Sequence, residues 1–202
     1  MNIKDICIRD PYILPYKGIY YMYGKVDKTS FCVYKSQDLK EWSEPETVFE
    51  KTVDFWADRD FWAPEVHEYK GRFYMFASFK SENRHRATQI LVSDKPDGQF
   101  KPLTDTPITP KNWECLDGTL YIDRKGKPHI VFCHEWRQIG DGTICSMELS
   151  EDLKTAVGEP KLLWKASDYS GTVDLDEETS KITDGPFLYR IENGELICIW
   201  ST

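Results

Sequence analysis

The chain has 202 residues, enough for one domain that hides about 70% of its unfolded surface without disulfides or metals to staple it. Its 34 acidic and 26 basic residues leave a net charge of −8, and no basic cluster interrupts that excess, which argues against a nucleic-acid partner. No apolar run approaches the roughly 18–20 residues of a membrane span, and the opening Met1-Asn2-Ile3-Lys4-Asp5 lacks an apolar signal core, so the chain as written reads as cytoplasmic and not membrane-bound.

In chain order, the first element is a hairpin, Tyr16-Lys17-Gly18-Ile19-Tyr20-Tyr21-Met22-Tyr23. A strand running into a polar turn follows, Phe31-Cys32-Val33-Tyr34-Lys35-Ser36-Gln37-Asp38-Leu39, and then a short strand at Thr47-Val48-Phe49. Tyr69-Lys70-Gly71-Arg72-Phe73-Tyr74-Met75-Phe76 repeats the first hairpin nearly residue for residue, and Ile90-Leu91-Val92-Ser93-Asp94 repeats the strand after it. A third copy runs through Lys125-Gly126, Ile144–Leu153 and Lys161–Trp164, and a fourth hairpin turns at Asn193-Gly194. The turn glycines 18, 71, 126 and 194 are 53, 55 and 68 residues apart. Lys-Gly and Asn-Gly between aromatic or aliphatic runs are hairpin signals. Units of about four short antiparallel strands at a period near 50, with no amphipathic helix of ten residues, predict an all-β chain: a β-propeller, with strands of about four to seven residues. Residues 1–202 then form a single, incomplete propeller domain of about three and a half blades, opening near Asp10, Glu65, Asp117 and Asp184. Its open edge is expected to drive self-association.

Aromatic residues are 14% of the chain, enough both to build sheet cores and to leave rings for stacking on sugars. The six cysteines have no metal or disulfide spacing and read as free thiols, mostly buried. His67 and His129 lie in strand-like runs and read as structural, whereas His85, between Arg84 and Arg86, reads as a surface loop residue.

An acidic residue opens the first strand of every unit: Asp10, Glu65, Asp117 and Asp184, respectively 8, 6, 9 and 10 residues before the turn glycine. In a propeller those strands line a central funnel, so the four carboxylates are expected to share one end of it. Each alone is ordinary turn chemistry; all four in register point to a site. Two carboxyl groups roughly 6.5–9.5 Å apart suit inverting glycoside hydrolysis, one activating water and the other protonating the leaving oxygen. Trp62, Trp113 and Trp136 adjoin these segments and are candidate sugar platforms.

The segments Ile8-Arg9-Asp10-Pro11-Tyr12-Ile13, Trp62-Ala63-Pro64-Glu65-Val66, Cys115-Leu116-Asp117-Gly118-Thr119-Leu120 and Thr183-Asp184-Gly185-Pro186-Phe187-Leu188, with the turn Ser36-Gln37-Asp38-Leu39-Lys40-Glu41-Trp42, together resemble glycoside hydrolase family 43. That resemblance implies a five-bladed propeller, inverting hydrolysis of arabinose- or xylose-containing glycans, Asp10 as general base and Asp117 as the residue that tunes and orients the acid. Members of that family are often exported. The family usually carries a Glu where Asp184 stands here, one methylene longer and reaching roughly 1.5 Å further. The acid is therefore open between Asp184, Glu135 on the returning strand Cys133-His134-Glu135-Trp136, and Glu114, whose Glu114-Cys115 pair resembles a motif of the related fructan-cleaving propellers. Arg9, Trp62, Glu65, Trp113, His134 and Trp136 are the candidate substrate contacts. The fifth blade, which in the family often brings a His near an axial ion, is not in this sequence, and no metal or cofactor is expected. The alternative function is a non-catalytic sugar-binding propeller.

Overall fold

The computed structural model describes residues 1–25, 27–172 and 180–202. These divide into two compact units, Met1–Asn83 with Gln89–Asp105, and Arg84–Thr88 with Thr106–Thr202.

The first unit holds a sheet of β1 (Arg9–Tyr16), β2 (Ile19–Lys25), β3 (Ser30–Ser36) and β4 (Glu46–Glu50), in that order. The second sheet, in equally simple order, has β5 (Arg59–Tyr69), β6 (Arg72–Ser81), β7 (Arg84–Ser93) and β8 (Lys101–Pro102); the first five residues of β7 belong to the second unit. The second unit continues with β9 (Cys115–Ile122), β10 (Pro128–His134), β11 (Thr143–Leu149) and β12 (Ala156–Lys165), and with the pair β13 (Asp184–Arg190) and β14 (Leu196–Ser201). Among the described residues the one α-helix is α1 (Trp136–Ile139). The expected hairpins and four-stranded sheets are all present. The strands are not all short: β5 has eleven residues, while β6, β7 and β12 have ten. β5 and β12 run this long because their pairing breaks register twice and resumes.

The four hairpins close in two ways. Tyr16 pairs with Ile19 and Tyr69 with Arg72, so Lys17-Gly18 and Lys70-Gly71 are two-residue loops. Both loop residues have positive φ, 49° and 79° in the first and 49° and 78° in the second, the type I′ geometry that follows strand twist. In the second unit, Asp123 N donates to Lys127 O and Ile191 N to Glu195 O, so those hairpins carry longer loops in which only the glycine is left-handed. The third-strand turn also repeats. Leu39 and Leu153 sit at φ 63° and 61°, each held by a Ser and an Asp just before it: the amide of Leu39 donates to Ser36 Oγ at 2.9 Å, and Ser150 Oγ donates to Asp152 Oδ1 at 2.7 Å.

The first unit is packed by aromatic rings. Phe31, Phe49, Phe55, Phe61 and Phe79 are buried in mutual contact at centroid distances of 4.9–6.2 Å. Burying each ring contributes about 1.5–3 kcal/mol. Tyr12 and Leu14 of β1 pack on this cluster. In the second unit Leu116, Val131, Cys133 and Ile144 form one cluster of the core, against which Leu188 and Trp200 of the fourth sheet pack; Ile130, Phe132, Met147, Leu149 and Leu153 are buried there too.

Each first strand is interrupted at the same place. The pairing slips between Arg9 and Tyr12, between Trp62 and Glu65, opposite Val131 and Cys133 in β9, and between Asp184 and Phe187. Inside each slip is one left-handed residue: Asp10 (φ 52°), Ala63 (45°), Asp117 (53°) and Gly185 (52°). These are β-bulges, which bend a strand and re-aim a side chain.

Candidate active site

The bulges give a register that residue spacing did not. Asp10, Ala63, Asp117 and Gly185 precede their turn glycines by 8, 8, 9 and 9 residues. The four carboxylates are therefore not equivalent. Asp10 and Asp117 share the bulge position, Glu65 lies two residues beyond it, and Asp184 lies one residue before it.

In the first unit, Asp10 is held on the β1 bulge with its side chain 42% exposed. Its charged neighbour is Arg9, whose Nε lies 3.6 Å from Asp10 Oδ2 and whose side chain is 79% exposed. Trp62 is half-buried in β5. Glu65 sits lower on the same strand, with His67 Nε2 3.1 Å from its Oε1. Burial raises the Tyr12 hydroxyl above its ordinary pKa, and Glu65 adds to the shift. His67 lies 5.6 Å from the Tyr12 ring, so its role is one of packing and pairing, as its strand position implies.

In the second unit, the backbone N–H of Gly185 donates to Asp117 Oδ2 at 3.1 Å. This bond joins the bulge of β9 to the bulge of β13 and sets Asp117 against the peptide that follows Asp184. Cys133 reports the same neighbourhood from below. Burial pushes its thiol far up, and the charges of Asp117 and Asp184 both add to the shift. Gly118 makes room for this arrangement, because a Cβ there would lie 2.7 Å from Thr88 Cγ2 and 2.8 Å from Ile130 Cδ1. Asp184 itself is exposed.

The other two acid candidates are tied to β7. Glu114 takes His85 Nδ1 at 2.9 Å on one oxygen and the Arg86 amide at 2.8 Å on the other. Glu135 is 5% exposed and forms a buried ion pair with Arg86, with Arg137 Nε 3.6 Å from its second oxygen. His85 thus belongs to a strand rather than a loop, although it is exposed as expected. His129 is in β10, 3.6 Å from Asp123. Arg86 was invisible as a partner in the sequence, since 49 residues separate it from Glu135.

Trp113 stacks flat on His134, with centroids 4.1 Å apart and planes 11° from parallel. Gln138 of α1 locks this pair. Its Oε1 accepts the Glu114 amide at 2.7 Å and lies 2.7 Å from His134 Nε2, so the imidazole carries its proton on Nε2. Its Nε2 donates to Asn112 O at 2.9 Å. Burial lowers the His134 pKa, opposed by the Gln138 bond, so the ring is neutral near pH 7. Trp136 opens α1 half-buried, with the Arg137 guanidinium 5.2 Å from its ring centroid. Gln138, four residues after His134, was the one locking residue with no sequence signal beyond that spacing. All six cysteines are free, and Cys32, Cys115, Cys133 and Cys145 are buried. Among the described residues no group of three His, Cys, Asp or Glu side chains is arranged to hold a metal, and no helix is long and apolar enough to cross a membrane.

The sequence profile of glycosyl hydrolases family 43 matches residues 3–201. The endo-arabinase of Bacteroides thetaiotaomicron is similar in structure at a TM-score of 0.93 and 43% identity, over 99% of this chain and 72% of that one. A thermostable family-43 glycoside hydrolase is similar at a TM-score of 0.79 and 28% identity, over 92% of this chain and 61% of that one. Among curated proteins, the extracellular endo-α-(1→5)-L-arabinanase 1 of Bacillus subtilis is 23% identical over 65% of this chain and 45% of its own length. The extracellular exo-α-(1→5)-L-arabinofuranosidase ArbA of Cellvibrio japonicus is 22% identical over 93% of this chain and 56% of its own length. The chain therefore spans about half the length of these two curated relatives. The likeness to the solved structures makes its four-stranded sheets those of a β-propeller fold.

Proposed function

The chain belongs to glycosyl hydrolases family 43, and on that premise we propose that it hydrolyses glycosidic bonds in arabinose- or xylose-containing glycans with inversion at the anomeric carbon. The observation that carries this reading is the bond from the Gly185 amide to Asp117, which sets one carboxylate beside the segment that presents another. In this reading Asp10 is the general base. Its open carboxylate takes a proton from the attacking water. Asp184 is the general acid, exposed and able to approach a leaving oxygen. Asp117 stands next to it as the residue that orients it. Glu135 serves instead as the buried partner of Arg86, and Glu114 as a brace for β7. Neither has oxygens open to a sugar in the way that Asp184 does. Arg9, Trp62, Glu65, Trp113, His134 and Trp136 are the proposed substrate contacts. The Trp113–His134 stack supplies a rigid aromatic face for a sugar ring. The extracellular relatives fit a polysaccharide substrate.

The test is hydrolysis of linear α-1,5-arabinan, arabinoxylan and the 4-nitrophenyl arabinofuranoside and xyloside, with the first-formed anomer read by proton NMR. Inverted arabinose or xylose supports the reading, and a retained anomer refutes the mechanism. Binding of arabinan without turnover is the result favoured by the second reading, a sugar-binding propeller, which rests on the shorter Asp at position 184.

A further inference from the structure

We propose that Gly185 is a positioning residue: its main-chain N–H, turned by the left-handed bulge of β13, holds the Asp117 carboxylate in place beside Asp184. This rests on the glycosidase reading above and adds to it a device made of backbone rather than side chain.

The argument begins with the glycine. A Cβ built on Gly185 meets nothing within 4 Å, so space does not require glycine there. Its φ of 52° favours glycine without requiring it, because residues with a Cβ adopt that region only at a cost in strain. The same bulge position is filled by Asp10, Ala63 and Asp117 in the other first strands, so the bulge itself tolerates a side chain. In β13 the amide of the bulge residue has a side-chain partner. It donates to Asp117 Oδ2 at 3.1 Å across 68 residues of chain. The donor sits inside the slip between Asp184 and Phe187, where pairing with β14 is interrupted. On its own strand Asp117 is followed by Gly118, where an added Cβ would meet Thr88 and Ile130, so the backbone there packs close to both. The bond from Gly185 holds the tip of the Asp117 side chain. Asp184, adjacent to the donor, therefore cannot move without moving the bond that orders Asp117.

Three substitutions separate conformation from bulk. Gly185→Asn keeps the N–H and tolerates the left-handed region. Gly185→Ala keeps the N–H with moderate strain. Gly185→Val keeps it in a residue for which positive φ is an outlier. On arabinan, kcat is expected to stay within about threefold of wild type for Asn, and to fall about tenfold to a hundredfold for Val, with Ala between them and KM nearly constant, as misplacement of a reacting group predicts. In an Asp117→Asn background the Val change should cost less than about twofold more, since the group it positions is already gone. Equal kcat for Gly, Asn and Val, or an undiminished Val effect in the Asp117→Asn background, would overturn the proposal. A second measurement needs no turnover. In the ¹⁵N-labelled Asp184→Asn chain, where the neighbouring carboxyl is gone, the Gly185 amide shift should follow a carboxylate titration that vanishes when Asp117→Asn is added. A flat Gly185 shift overturns the positioning bond even where the wild type is active. A titrating amide, where the wild type hydrolyses nothing, leaves the bond standing and removes the glycosidase reading instead. If Val fails to fold, the Asn-to-Ala ratio and the amide titration decide.

Discussion

The two units build the same hairpins by different chemistry, and they hold their carboxylates differently. In the first unit the turns are tight type I′ loops, the core is a cluster of phenylalanines, and Asp10 stands open on its bulge with Arg9 as its charged neighbour. In the second unit the turns are one step longer, the core mixes aliphatic side chains with cysteines, Phe132 and Met147, and Asp117, Glu114 and Glu135 are wired in place while Asp184 is exposed. There the Gly185 amide holds Asp117, Glu114 grips β7, and Glu135 is paired to Arg86. An open carboxylate suits a group that must meet water, whereas a wired one suits a group that must not move. On the proposed roles, the contrast gives the two groups opposite surroundings on one repeated scaffold.

The largest effect should come from the open side. Asp10→Asn keeps a residue that tolerates the left-handed bulge and loses only the ability to take a proton. Turnover of arabinan should fall about 10²- to 10⁴-fold while the melting temperature and sugar binding stay near wild type. Steady-state kinetics with calorimetry checks both, and a variant that keeps most of its rate would make Asp10 structural and dissolve the contrast.

The wired side should break as structure first. Arg86 and Glu135 are each 6% exposed at the side chain. Arg86→Met strands a buried carboxylate, and removing one partner of such a pair costs about 3–5 kcal/mol. Arg137, 3.6 Å away, offsets part of this and puts the expectation at the lower end. Urea unfolding measures it. A loss in catalysis on aryl glycosides without a loss in stability would instead assign Glu135 to the chemistry.

Much of this organisation was readable in the chain, and the part that was not has a specific cause. Lys-Gly and Asn-Gly between aromatic runs are local signals, so the hairpins, the simple strand order and the four-stranded sheets followed from them. The bulge register is not local. It depends on where pairing slips, and turn length alters the count, so Glu65 and Asp184 looked equivalent to Asp10 and Asp117 until Ala63 and Gly185 emerged as the true counterparts. The Arg86–Glu135 and Gly185–Asp117 contacts span 49 and 68 residues and carry no periodic trace. The short β8, only Lys101-Pro102, is too brief for any pattern.

A third prediction sharpens the choice of acid within the wired unit. Asp184→Ala should cut hydrolysis of natural arabinan about a hundredfold or more, yet leave an activated aryl arabinofuranoside within about tenfold, because a good leaving group needs little protonation. Glu135→Gln should fail to show that split. If Asp184→Ala lowers both substrates equally, the acid is elsewhere and the Gly185 bond orders Asp117 for some other purpose.

The smallest effect concerns His134, which lies between the open and the wired extremes, half-buried beneath Trp113 and tethered by Gln138. Burial lowers its pKa in the folded state, so the unfolded chain binds a proton more readily than the folded one. The stability that the neutral ring contributes is complete above the unfolded value of about 6.5 and drains away as pH falls below it. The size is modest because the ring keeps contact with solvent. The measurement is the urea midpoint at about pH 8 and about pH 5 for wild type and His134→Gln. Carboxylates titrate in both proteins and cancel in the comparison, so the wild type should lose more stability on acidification than the variant. An equal loss would mean that the imidazole is hydrated in both states, and that the Trp113 stack is no more closed to water than the open side of the molecule.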